Sequence, residues 1–408
     1  MRFSRRALKW AWIYLLFVTG AMRRARRYVA DRGGLVVLTF HRVLPKSQEA
    51  TTCSLEGMRT RAGTFEALNR YVRRYYSVLS LDQCARALEG RHQRACFVFT
   101  FDDGWVDNAR FAAPIARRYG SPLSIFVCPS KAGERLPFWP ERVAALTKIL
   151  RVSAESRRRA RGVVASWMEI DETAIPDLRS AATVEWLVEQ LKVRRSGERD
   201  EIISALFGSA DVKGAPTDIE TDDSAMTWDE MRALRDAGVV FGSHTQSHQI
   251  LTAVPLEEAW REITEAKEEI EKKLRGACAF FSYPNGDWSP EIRNLVARAG
   301  YTLAFTNRPG AWTRECDRLS IPRVNIWEGK IVGPLGSFSP IAFEYATFWK
   351  VYRAEKQRVA LERGADDPRP WLRPMRREGA LKARGTCPER RRGSGDRLSK
   401  QGSVSGAL

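Results

Sequence analysis

Residues 96–104 read Cys-Phe-Val-Phe-Thr-Phe-Asp-Asp-Gly, and this stretch decides the fold. Six consecutive residues with no regular polar alternation suit a strand buried on both faces, as in a parallel sheet, and the strand stops at two carboxylates and a glycine. Runs of the same character lie at 35–40 (LVVLTF), 123–128 (LSIFVC), 239–243 (VVFGS), 278–282 (CAFFS), 302–306 (TLAFT) and 319–326 (LSIPRVNI). Helical patterns separate them. Phe65, Leu68 and Val72 repeat at helical spacing within 64–75, and Thr227 with Glu230 reads as a capping box. Residues 255–274 form a charged helix stopped by Gly276, and Ser289-Pro290 opens another that ends at Gly300. Strands alternating with helices imply a parallel α/β architecture. Its strands end in His41, Asp102 with Asp103, His244, Tyr283 and Asn307, with Arg323 inside the last run. A barrel gathers such ends on one rim, so a barrel is expected rather than an open doubly wound sheet. Residues 130–226, with helical stretches at 138–150 and 184–191, interrupt the alternation as an insertion able to shape a cleft on that rim.

Composition excludes several classes of function. With 44% hydrophobic residues in 408, the chain is not disordered as a whole, and no run of roughly 18 apolar residues marks it as polytopic. The net charge of +18 sits mainly at the ends. Residues 1–34 hold nine basic residues to one acid and residues 362–408 hold twelve to six, which leaves +4 for everything between. A near-neutral middle argues against a nucleic-acid partner. Residues 10–22 (WAWIYLLFVTGAM) are apolar with arginines on both sides, which gives two readings for residues 1–34: an interfacial anchor on anionic lipid, or a helix packed on the body of the protein. The basic flanks favour peripheral attachment to the cytoplasmic face of the inner membrane. Seven cysteines without a CxxC pair read as reduced core residues. The expected organisation is therefore the segment 1–34, a barrel over 35–330 carrying the insertion 130–226, a helical extension 331–361 and a basic, Gly/Pro/Ser-rich disordered tail 362–408.

Two adjacent acids after a buried strand repel one another and lose hydration, and a divalent cation offsets both costs. An Asp-Gly turn with a helix cap accounts for one acid only. The sequence Gly-Ser-His-Thr-Gln-Ser-His at 242–248 follows another strand and places His244 and His248 four apart, able to share one ion if they lie on a helical turn.

Thr-Phe-Asp-Asp-Gly followed far downstream by Ser-His-Thr-x-Ser-His resembles the polysaccharide deacetylase family, the NodB-homology group of carbohydrate esterases. The resemblance runs from about residue 35 to 326. It implies a distorted (β/α)7 TIM-like barrel and a metal-dependent hydrolase that removes N-acetyl groups from amino sugars of a polysaccharide or a lipid-linked precursor. By the same resemblance Asp102 is the general base, and Asp103, His244 and His248 are the ligands of one divalent ion, zinc being the usual one. Three protein ligands leave open positions for water and the acetyl oxygen.

The sequence departs from the commonest family pattern in two places. No histidine follows His248, so the late catalytic histidine is absent; Thr39-Phe40-His41 resembles the early histidine of the biofilm-polysaccharide deacetylases and makes His41 the general acid. Phe281-Ser282-Tyr283-Pro284-Asn285-Gly286 stands where the family has Arg-Pro-Pro-Tyr-Gly, with Ser282 at the arginine position. Arg323 is the expected replacement for that arginine. Tyr283 and Asn285 are expected at the substrate or oxyanion, and Trp105, Trp228 and Trp288 are possible sugar-stacking residues. Competing readings are an O-acetyl esterase, another C–N hydrolase on the same site, and a degenerate glycan-binding module.

Overall fold

Among the described residues, seven strands of an eight-stranded parallel sheet turn alternate side chains toward two apolar environments. In this computed structural model residues 2–362 are described apart from 33, 50, 90–94, 135–136, 151–152, 193 and 210–222. The strands are β1 Leu35–Phe40, β2 Cys96–Phe101, β3 Leu123–Val127, β4 Val240–Ser243, β5 Phe280–Ser282, β6 Leu303–Phe305 and β7 Val324–Asn325. Their order is β7-β1-β2-β3-β4-β5-β6, every pairing is parallel, and the two-residue strand Ser77–Val78 also pairs with β2. Ile321 bridges Phe305 of β6, and three residues later Val324 pairs with Leu38 of β1. The segment from Ile321 to Asn325 therefore joins the two edges of the sheet, which curls into a distorted (β/α)7 barrel. The run expected as a strand over 319–326 is regular only at Val324–Asn325. Pro322 has no N–H to donate, and the segment changes pairing partner there.

Alternate strand residues divide the core. Val36, Leu38, Phe40, Phe99 and Phe101 point outward and pack with helix residues such as Phe65 and Leu68, whereas Leu35, Val37, Val98, Phe126, Phe305 and Ile321 share the lumen. The lumen set has the parity of Thr39, Thr100 and Asp102, so one face of each strand is apolar at its start and polar at its C-terminal end. That end is where the chemistry collects.

Helices α1 Arg2–Val18 and α2 Ala21–Asp31 precede the barrel. Ile13, Leu16 and Met22 pack with Trp10, Ile341, Tyr345 and Trp349, so the N-terminal segment does lie on the body of the protein. Among the described residues no helix is long and apolar enough to cross a membrane. Ala62–Tyr75 is α3. The insertion holds α4 Trp139–Leu150, α5 Ala154–Met168, α6 Ala181–Lys192 and α7 Ser196–Ser209, two more helices than the sequence periodicity revealed, around their own cluster of Val143, Leu146, Val164, Leu187, Ile202 and Leu206. The capping box at Thr227 is present, and Ser289 caps Ile292 N. Helix α8, Leu256–Leu274, ends at Arg275 with φ 49°, one residue before the expected glycine stop.

Residues 1–359 form one compact unit that holds everything above; the second unit begins at Ala360 and lies almost wholly outside the described residues, as does the tail expected from 362 onward. Six cysteines, from Cys53 to Cys316, are free thiols.

Candidate active site

The strand β2 delivers its two acids to different tasks by a sharp turn. Asp103 and Gly104 both have φ 74°, a left-handed pair that few side chains tolerate. At Gly104 a Cβ would sit 2.8 Å from Val127 Cγ1, so the turn fits only glycine. Asp103 Oδ2 accepts a hydrogen bond from Trp105 Nε1 at 3.0 Å, and Asp103 Oδ1 is buried without a hydrogen-bond partner. His244 follows β4. His248 reaches it through a loop rather than a helical turn, correcting the sequence expectation: Thr245 and His248 take φ 67° and 62°, and Ser247 N and Oγ anchor the loop on Glu262 of α8 at 2.8 and 2.6 Å. Left-handed residues gathered at one place are a mark of functional strain.

The result is a three-donor site. His244 Nε2 and His248 Nε2 lie 3.6 and 3.4 Å from Asp103 Oδ1, and the ligand atoms of the three residues all fall within 4.8 Å of one another. His244 Nδ1 sits 2.7 Å from the Ser282 carbonyl, to which it donates, and this contact turns Nε2 toward Asp103. Burial pushes His248 down to about 3 against the attraction of Asp103, so its imidazole is neutral. An orphaned carboxylate oxygen facing two imidazole nitrogens is a donor set that suits a divalent ion of the zinc type.

Asp102 faces the other way, into a buried guanidinium. Arg323 donates from Nη1 to Asp102 Oδ1 at 2.8 Å and from Nη2 to Oδ2 at 2.6 Å. The remaining three hydrogens are shared among four further acceptors, Thr306 O, Thr100 Oγ1, Ser282 Oγ and Asn307 Oδ1, at 3.0, 3.3, 2.9 and 2.9 Å. Burial alone would raise the Asp102 carboxyl, yet Arg323 holds it well below the usual carboxylate range. Ser282 brings no charge to this place; its hydroxyl accepts a hydrogen bond from Arg323, which enters from the approach to β7.

His41, just past β1, completes the rim. Its carbonyl accepts from Asn108 Nδ2 at 2.9 Å, and the adjacent Arg42 is held by Asp107 at 2.8 Å and by Asp223, all three fully buried. Burial lowers the His41 imidazole, with Asp103 and Asp102 opposing, and Nδ1 has no hydrogen-bond partner. A cavity of about 190 Å³ is lined by His41, Asp102, Asp103, His244, His248, Asn285, Asn307 and Asn325 from the barrel and by Phe138, Trp139, Glu141, Val188, Lys192 and Arg199 from the insertion. Asn285 lines it with φ 58° and donates from Nδ2 to Asp287 at 2.6 Å.

Three expectations are corrected. Tyr283 does not reach the cavity: it shares the outward parity of Phe281, is fully buried against that ring, and donates its hydroxyl to Leu319 O at 2.9 Å. Trp105 offers no sugar-stacking face, because its ring lies between Arg42 and Phe138, at 4.3 and 4.6 Å, and its indole N–H positions Asp103. Trp228 and Trp288 pack against the main core and do not line the cavity. The insertion residues Trp139, Glu141 and Arg199 escaped the sequence reading; they sit in ordinary helix sequence, and only the packing of the insertion brings them over the rim.

Residues 205–304 match the family model described as polysaccharide deacetylase. The Bacillus subtilis (strain 168) protein YxkH, named as a polysaccharide deacetylase, is 23% identical over 113 residues, a match that spans 28% of this chain and 40% of that protein. Among solved structures, the Streptococcus pyogenes deacetylase PplD in complex with acetate aligns at a TM-score of 0.48 and 16% identity, covering 77% of this chain and 98% of that one. IcaB from Ammonifex degensii aligns at 0.45 and 17%, covering 73% and 93%. The family match over residues 205–304, together with the Asp-Asp-Gly and Ser-His-Thr-x-Ser-His motifs on a parallel α/β barrel, makes this chain similar to the NodB-type polysaccharide deacetylases.

Proposed function

We propose that the chain is a metal-dependent hydrolase that removes N-acetyl groups from amino sugars of an envelope or extracellular polysaccharide, or of its precursor. The observation that carries the reading is the Asp103, His244 and His248 donor set beside an ionised Asp102, both opening on one cavity. A zinc-type ion held by that set supplies acidity to a water molecule and polarisation to an acetyl carbonyl. Asp102 accepts the water proton on its carboxylate, and Arg323 fixes the orientation of both carboxylate oxygens. His41, which lines the same cavity, is the group that passes a proton to the departing amine nitrogen. Asn285 lines the same cavity, and its side chain or backbone is the group assigned to the oxygen of the acetyl group.

The test is acetate and free-amine release from glucosamine oligomers carrying both N-acetyl and O-acetyl groups, measured with zinc content on the same samples. Asp102→Asn is expected to keep the metal and lose both products. Acetate without new amine would indicate an O-acetyl esterase, and bound glycan without either product would indicate a binding module; each overturns the reading.

We further propose that residues 1–34 hold the protein on an anionic membrane surface, at the cytoplasmic face of the inner membrane. Six large apolar residues of α1 are exposed, Leu8, Trp12, Tyr14, Leu15, Phe17 and Val18, and exposed Arg6, Lys9, Arg23, Arg24 and Arg27 accompany them. An apolar face with basic neighbours suits shallow burial beside anionic headgroups. The full chain is expected to co-sediment with phosphatidylglycerol vesicles and Trp12→Glu/Phe17→Glu to stay in solution; equal sedimentation of both would overturn this.

A further inference from the structure

We infer that the cavity takes a substrate carrying an anionic group, a phosphate or a carboxylate, and that Arg199 receives that group. The inference deepens the deacetylase reading and rests on it for the sugar, while the anion site stands on its own observations. Arg199 lies in the first turn of α7, is 3% exposed, and lines the cavity that holds the metal-ligand set. Its Nε and Nη1 are buried and make no hydrogen bond. Its guanidinium carbon stacks 4.7 Å from the ring centre of Trp139, and the Trp139 Nε1 is buried in the same way without a partner. A guanidinium carries five donors in a fixed fork, and leaving it both dehydrated and unpaired is costly.

The neighbouring acids do not pay that cost. Asp200 is engaged by Arg142 at 2.8 Å, and Glu262 accepts from Ser247 N and Oγ. Both attract Arg199 through space without bonding it. Glu141 lines the cavity too, but burial pushes its carboxyl up to about 8, so it is mostly uncharged at neutral pH. Lys192 on the same wall has its charge met by Glu189 at 2.8 Å. The catalytic acids are taken as well: Asp102 is neutralised by Arg323, and Asp103 is committed to the metal-ligand set. The start of α7 adds the positive end of a 14-residue helix dipole to the guanidinium, so helix and side chain favour the same charge in a ligand. A forked donor of this kind matches the two oxygens of a carboxylate or phosphate, and the indole N–H beside it offers one more hydrogen.

The test is calorimetric titration of the full chain, with zinc supplied and with chelator, using N-acetylglucosamine, N-acetylglucosamine 1-phosphate and a glucuronic acid–N-acetylglucosamine disaccharide. In the wild type one of the two anionic sugars is expected to bind at least tenfold tighter than the neutral sugar, and the tighter arm identifies the group. Arg199→Gln should abolish that preference and leave the neutral sugar within about twofold, with a thermal midpoint no lower than wild type because an unpaired buried charge has gone. Arg199→Lys, which keeps the charge and loses the fork, should retain part of the preference and serves if the glutamine variant fails to fold. No anionic preference in the wild type, or a preference that survives both substitutions, overturns the inference. Acetate release measured on the same sugars separates the two readings. An Arg199-dependent preference with no acetate from any sugar sinks the deacetylase reading alone; acetate from the neutral sugar with no anionic preference sinks this one alone.

Discussion

Arg323 and Asp102 are 221 residues apart in the chain, and in the fold the guanidinium of one meets both carboxylate oxygens of the other, at 2.8 and 2.6 Å, with neither side chain exposed by more than 1%. Removing one partner of a buried pair leaves an uncompensated charge, a loss of about 3–5 kcal/mol. Arg323→Gln is therefore expected to lower the urea midpoint sharply at pH 7, and adding Asp102→Asn should restore part of it. The sign with pH follows from the depressed Asp102 pKa: the pair's stabilisation is complete above the unfolded value of about 4 and is lost as acidification passes through the folded value. The gap between wild type and Arg323→Gln should thus narrow in strong acid, and a gap that widens there would contradict the pairing.

Trp105 holds Asp103 by one hydrogen bond of 3.0 Å, and the ring otherwise packs against Phe138 and the Arg42 guanidinium. Trp105→Phe keeps most of the packing and releases the carboxylate. Outer-shell contacts of this type are worth about 10–100-fold in metal affinity, so zinc binding should weaken by that factor while circular dichroism is unchanged. In the wild type, zinc at about 100 times its Kd should add about 2.7 kcal/mol to stability, and Asp103→Ala should abolish the shift.

His248 gives the metal-free protein a second pH dependence. Its pKa is lowered by burial from 6.5 to about 3, so the folded state takes up a proton less readily than the unfolded chain. Its contribution is complete above about pH 6.5 and is lost as pH falls toward the folded value. Urea midpoints of chelator-treated protein should decline from pH 7 to pH 4, and His248→Gln should decline less steeply. Equal slopes would mean that the imidazole is hydrated in solution.

Much of this was legible in the sequence because it is local. Strand runs such as LVVLTF and CFVFTF declare two-sided burial in their own letters, and Asp102, Asp103, His244 and His248 sit at strand ends, where barrel topology gathers them. Arg323 was legible as the last charged residue of a strand-like run, although its six hydrogen-bond contacts were not. What failed depended on side-chain parity or on packing between distant elements. Tyr283 was expected at the substrate or oxyanion from its motif but follows the outward parity of Phe281, and Trp105 looked like a stacking platform but is covered by Phe138 from the insertion. Arg199 and Trp139 are unremarkable within their helices, and their meeting over the cavity is set by the separate apolar cluster that folds the insertion.

The turn after β2 offers the most local test of how the two acids are separated. Gly104 has φ 74°, where an alanine is strained by about 1–2 kcal/mol, and its Cβ would meet Val127 Cγ1 at 2.8 Å. Overpacking of that kind adds about 1–3 kcal/mol, so Gly104→Ala is expected to cost about 2–5 kcal/mol by urea unfolding. The two parts separate in a Val127→Ala background, which removes the clash and leaves the strain; the cost of Gly104→Ala there should fall to the strain alone. Zinc affinity should not recover in the double variant, because relaxing the backbone at 103 and 104 turns Asp103 away from His244 and His248 whether or not there is space beside Val127. Full recovery of zinc binding with the clash removed would show that the left-handed turn is dispensable and that packing alone aims the carboxylate.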